Sequence, residues 1–131
     1  MKMKKIITLI AIVFVSALSF AQSGAKIEFA AKDNTIDYGR ISKSSDNGIR
    51  AFEFTNTGNT PLIITSVQST ASSTILSQPK TAILPGKTGK IEVKYNMALG
   101  PIRKTITVES NAVNYEEGRV ALKIKGEVMP N

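Results

Sequence analysis

Three short motifs in this chain match parts of the penicillin-binding serine enzymes. Ser77-Gln78-Pro79-Lys80 fits S-x-x-K, Ser45-Asp46-Asn47 fits S-D-N and Lys87-Thr88-Gly89 fits K-T-G. That chemistry needs the serine and lysine of S-x-x-K on one helix, a turn apart. Pro79 opposes such a helix. S-D-N also precedes S-x-x-K here, against the order in those enzymes, and 131 residues are far too few for that fold. Gly86-Lys87-Thr88 imitates the tail of a phosphate-binding loop, but the position of the first glycine holds Thr81. The residues that follow alternate as a strand, whereas phosphate needs the N-terminus of a helix. All four motifs read as turns.

Other chemistry has little to draw on. The chain has no His and no Cys, so a zinc or copper site lacks its usual ligands. Asp33 and Asp37 are four residues apart and Glu116 and Glu117 are adjacent, and neither spacing fits a calcium loop. Glu53, Glu92 and Glu109 alternate with apolar residues and are expected on wet strand faces, not in the apolar pocket a general acid requires. No catalytic residue, metal or cofactor is expected. Lys90, Lys94, Lys123 and Lys125 would form a basic stripe if their strands were neighbours. They are the candidate contacts for an acidic glycan or lipid; the plainer reading is a solvated face whose lysines discourage edge pairing. Tyr38, Tyr95 and Tyr115 are too scattered for a base-stacking platform, and no nucleic-acid partner is expected.

The elements that would position these residues begin after a leader. Lys2, Lys4 and Lys5 precede an apolar run from Ile6 to Leu18, and Ser19-Phe20-Ala21 supplies small residues for a peptidase. This is the pattern of a secretory signal cut after Ala21. The apolar run is shorter than the about 20 residues that span a bilayer, so no transmembrane segment is expected after processing. Loss of the three leader lysines takes the formal charge from +7 to +4, ordinary for solubility. An exported chain without cysteine must be held by its core alone.

Residues 22–131 are expected to form one domain. Lys26–Ala30, Thr35–Ile41, Ile49–Thr55, Leu62–Val67, Thr88–Asn96, Arg103–Ser110 and Arg119–Val128 read as strands, most of them alternating apolar and polar residues. The organising stretch is Ile49–Gln68: two strands joined hairpin-like by Asn56-Thr57-Gly58-Asn59-Thr60-Pro61. Gln22–Lys26 reads as a loose terminus and Ser69–Gln78 as nearly featureless. Leu84-Pro85-Gly86-Lys87 fits a type II turn. No stretch shows helical periodicity. About seven strands wet on one side predict an all-β, immunoglobulin-like antiparallel sandwich.

Four segments, FEFTNTGNTPLIITSVQS, LPGKTGKIEVKYN, GPIRKTITVESNA and LKIKGEV, resemble a bacterial family, domain of unknown function 1573, over roughly Ile36–Val128. The resemblance implies an immunoglobulin-like fold akin to the Hydin and major-sperm-protein sandwiches, common in exported envelope proteins, with no assigned reaction. Relatives commonly carry a Ser-Cys-Gly-Cys-Thr segment, and here Ala71 and Ser73 replace both cysteines. Any thiol role is lost with the sulfur. The expectation is a non-enzymatic, periplasmic or extracellular module that binds or supports another envelope protein. The alternative is a module that holds an anionic polymer on its lysine face.

Overall fold

The computed structural model describes residues 23–70 and 73–131. The leader, its cleavage after Ala21, and the Ala71 replacement lie outside the described residues. Among the described residues eight strands form: β1 (Ile27–Phe29), β2 (Thr35–Ser42), β3 (Ile49–Asn56), β4 (Ile64–Ser69), β5 (Ser73–Ser77), β6 (Thr88–Tyr95), β7 (Gly100–Ser110) and β8 (Arg119–Met129). The only helical pieces among the described residues are single 3-10 turns at Lys32–Asn34 and Glu116–Gly118.

The strands make two four-stranded sheets, ordered β1-β3-β6-β5 and β2-β8-β7-β4. Alternation assigns the inner faces. Phe52 and Phe54 from β3 and Ile91, Val93 and Tyr95 from β6 meet Ile106 and Val108 from β7 and Val120, Leu122 and Ile124 from β8 in one buried cluster. Phe29 packs on both phenylalanines, with ring centroids 6.3 Å from Phe52 and 5.4 Å from Phe54. The type II turn forms as its sequence requires: Lys87 N–H donates to Leu84 O at 2.9 Å, and Gly86 takes φ +83°, which costs a glycine nothing.

Four expectations need correction. β3 and β4 are not a hairpin, because they belong to opposite sheets and residues 57–63 carry the chain between them. The turn formers there suit either route. Ser69–Gln78 is not featureless but contains β5, an eighth strand whose small residues hide the alternation. The sheets are not wholly antiparallel, since β2 runs parallel to β8. The N-terminal stretch is not loose up to Lys26. Gly24 N–H donates to Asn59 Oδ1 at 2.8 Å and Asn59 N–H donates to Gly24 O at 3.0 Å, while Ala25 is buried.

Candidate interaction surfaces

The motif residues do not converge. Ser45, Asp46 and Asn47 lie in the loop before β3, where Ser44 N–H donates to Asn131 Oδ1. Lys87 lies at the far end of β3, where its carbonyl accepts from Asn56 N–H at 2.9 Å. Eight extended residues separate these ends, roughly 25 Å. Ser77 ends β5 with its hydroxyl 3.0 Å from Glu92 Oε1. Among the described residues no cluster of three or more His, Cys, Asp or Glu could hold a metal ion.

The four lysines divide between the sheets. Lys90 and Lys94 stand on β6 and Lys123 and Lys125 on β8. These strands are not neighbours, so no single stripe forms across them. On β6, Lys90 sits among carboxylates, opposite Glu53 and 3.8 Å from Glu92, while Lys94 lies between Ile49 and Thr74. On β8 they sit beside Arg103, which is opposite Lys125.

Two polar clusters that the sequence did not single out turn out to be structural. Asn56 is fully buried. Its Oδ1 accepts from Gly58 N–H at 2.9 Å and Lys26 N–H at 3.3 Å, and its Nδ2 donates to Thr60 O and Ile83 O, both at 2.8 Å. One amide thus ties β1, the β3–β4 crossing and the Leu62–Ile83 bridge. Gly58 beside it allows the crossing to press on Gly24, whose carbonyl a Cβ would strike. At the other end, Arg50 pairs with Asp46 at 2.8 Å and lies 4.1 Å over the Tyr38 ring. The Tyr38 hydroxyl donates to Gly48 O at 2.7 Å. The Arg50 hydrogen bonds, then that of Gly48 N–H, hold the Asp46 carboxyl below its usual range. Burial pushes the Tyr38 phenol up to about 12.

The sheet edges differ sharply. Val113 N–H donates to Ala25 O at 2.8 Å. The Asn114 amide accepts from Ile27 N–H at 3.1 Å and donates to Ile27 O at 3.0 Å. That side chain occupies the outer backbone groups of β1 as a further strand would. β2 carries Asp37, Arg40 and a register shift between them. On the opposite side of the sandwich, β4 and β5 run side by side, with the Ser69 hydroxyl 2.9 Å from Ser73 O. Neither has a charged residue, and Leu76 is 46% exposed.

Two facing sheets around one core define the class, an immunoglobulin-like β-sandwich free of cysteine. The chain belongs to the family described as Protein of unknown function (DUF1573), whose model matches residues 28–128. No curated protein matches it. Among solved structures it is similar to a protein of unknown function from Porphyromonas gingivalis W83, at 21% identity and TM-score 0.63, over 82% of this chain and 48% of that one. It is similar to the secreted serine protease VesC from Vibrio cholerae, at 18% identity and TM-score 0.56, over 88% of this chain and 25% of that one. A third likeness is the ASH / PapD-like domain of human CEP192, at 11% identity and TM-score 0.54, over 81% of this chain and 87% of that one. The chain spans about half the Porphyromonas protein and a quarter of the protease. At these identities the likeness is one of fold.

Proposed function

We propose that this chain is a non-enzymatic exported module that engages another envelope protein along the β4–β5 side of its sandwich. The observation that carries the reading is where charge is missing. From Phe54 to Pro79 there is no charged side chain. Of the eight strands among the described residues only β4 and β5 are charge-free, and they are the edges of the two sheets on one side. Natural sheets guard their edges with charge, bulges or cover. The β1 and β2 edges are so guarded, whereas β4 and β5 have one register shift each and leave Ser66–Ser69 and Ser73–Ile75 as regular ladder. The occupant that fits is an extended, uncharged segment of a partner, with alternating apolar residues, added as a strand. The leader supports export. The scatter of the serine and lysine motifs over both ends of the sandwich supports a binding role over a reaction.

A photo-activated cross-linking residue at Gln68 or Leu76, introduced in the producing cell, tests this. The same single protein adduct is expected from both positions, none from Glu53 on the outer face of the first sheet, and loss of the Gln68 adduct when Leu76→Lys is added. Equal adducts from all three positions would refute the reading.

A further inference from the structure

The outer face of the second sheet carries an arrangement of charge that packing does not require. The β7–β8 register sets Arg103 directly opposite Lys125 and Thr105 opposite Lys123. On the other side of β8, Asp37 neighbours Lys125 and Thr35 neighbours Lys123. Three exposed cations therefore share two adjoining rows on the central strands, two of them face to face. Like charges directly opposed destabilise a sheet.

The same two strands show how a solvated face resolves this. Further along, Glu109 is opposite Arg119 and the two form an ion pair at 3.4 Å. Arg103, Lys123 and Lys125 enter none of the ion pairs among the described residues. Asp37, the carboxylate best placed to neutralise Lys125, turns instead to its own backbone and accepts from Gly39 N–H at 2.8 Å. The three cations and the two threonines line a shallow groove of about 430 Å³.

We propose that this groove binds a phosphate group. Lys104 also lines the groove and Asp37 does not, so its charged lining is wholly cationic, and a phosphate monoester carries roughly −1.5 to −2 at neutral pH. Arg103 offers the planar fork that suits phosphate oxygens, and the lysines act as point charges beside it. Thr105 adds a hydroxyl donor, whereas the Thr35 hydroxyl already donates to Asp33 O at 2.9 Å. The site involves Lys123 and Lys125 but not Lys90, which Glu53 and Glu92 already oppose, nor Lys94, which lies on the other sheet between Ile49 and Thr74. It uses the outer face of the second sheet, apart from the β4–β5 edges, so either reading stands if the other fails.

Amide chemical shifts of the exported chain, followed while inorganic pyrophosphate is added, test the proposal. Sedimentation with vesicles containing phosphatidic acid forms a second arm. Shifts are expected at Thr35, Arg103–Thr105 and Lys123–Lys125. The double variant Arg103→Gln/Lys125→Gln is expected to bind roughly tenfold more weakly or worse, from the loss of charge-assisted hydrogen bonds. It should melt no lower than the wild type, because it removes an opposed like-charge pair, and Lys123→Gln provides a second, independent weakening. Binding of pyrophosphate alone identifies a soluble phosphate ligand, and retention on vesicles identifies a membrane-borne one; either supports the site if the variants lose it. Failure of both probes would overturn it, as would shifts spread over both sheets or an equal loss in Lys90→Gln/Lys94→Gln.

Discussion

Asn56 looks in the sequence like one more turn residue, yet its side chain makes four hydrogen bonds in a fully buried place. Asn56→Ala would remove the amide's bonds to Gly58 N–H, Lys26 N–H, Thr60 O and Ile83 O, the last of which keeps its bond from Leu62 N–H at 2.9 Å. Each unsatisfied buried group costs about 1–3 kcal/mol, so a loss of about 3 kcal/mol or more is expected in urea unfolding. Asn56→Asp should be no better at neutral pH, because a carboxylate would face the Thr60 and Ile83 carbonyls. The Tyr38–Arg50–Asp46 cluster makes pH-dependent predictions. Asp46 has its carboxyl lowered in the folded chain, so its contribution is present above the unfolded value of about 3.9 and fades as pH falls through the lower folded value. Asp46→Asn should therefore melt below the wild type at pH 7, with the gap closing in acid. Tyr38 has its phenol raised, so that contribution is whole below about pH 10 and is lost as pH climbs towards about 12. Tyr38→Phe should resist alkaline unfolding better than the wild type over that window. At pH 7 it should lose only about 0.5–1.5 kcal/mol, since Gly48 O keeps its bond from Tyr95 N–H at 3.0 Å.

At the level of strands, Asn114 is the guard of the β1 edge, and its removal separates guarding from packing. Asn114→Ala frees Ile27 N–H and O together, and a loss of about 1–2 kcal/mol is expected. The freed edge should raise self-association at high concentration, measured by sedimentation velocity. An unchanged monomer with unchanged stability would show that the amide guards nothing. Strand identity was legible where apolar and polar residues alternate, as along Ile91, Val93 and Tyr95. Alternation says which face a residue takes but not which strand lies beside it. For that reason the β3–β4 crossing resembled a hairpin, and the parallel β2–β8 pairing was invisible. β5 escaped notice because Ser73, Thr74 and Ser77 mark neither face. The lysine stripe failed for a related reason: spacing along β6 and β8 carried no information about their sheets, while Arg103, the residue that completes the β8 group, gained meaning only from the register.

Over the whole molecule, stability rests on one core with no disulfide to assist it. Phe52 and Phe54 are among the largest fully buried side chains, and both touch Phe29 through their rings. Phe52→Ala is expected to cost about 3–5 kcal/mol, a large share of the about 5–15 kcal/mol available to a natural domain. The start of the fold bears on processing as well. Gly24 is bonded through both its N–H and its carbonyl to Asn59, Ala25 is buried against the core, and Ala25 O takes Val113 N–H. A cut after Ala21 keeps all of these contacts, whereas a cut after Ala25 discards the Gly24–Asn59 pair, the buried Ala25 side chain and the Ala25 carbonyl that takes Val113 N–H. With the leader cut after Ala21, as Ser19-Phe20-Ala21 suggests, intact mass spectrometry of the protein recovered outside the cytoplasm should give a chain beginning at Gln22. A version starting at Ser23 should melt with it, and one starting at Lys26 should melt clearly lower. If all three melt together, the first residues contribute nothing to the sandwich. If the recovered mass still includes the leader, the export reading fails.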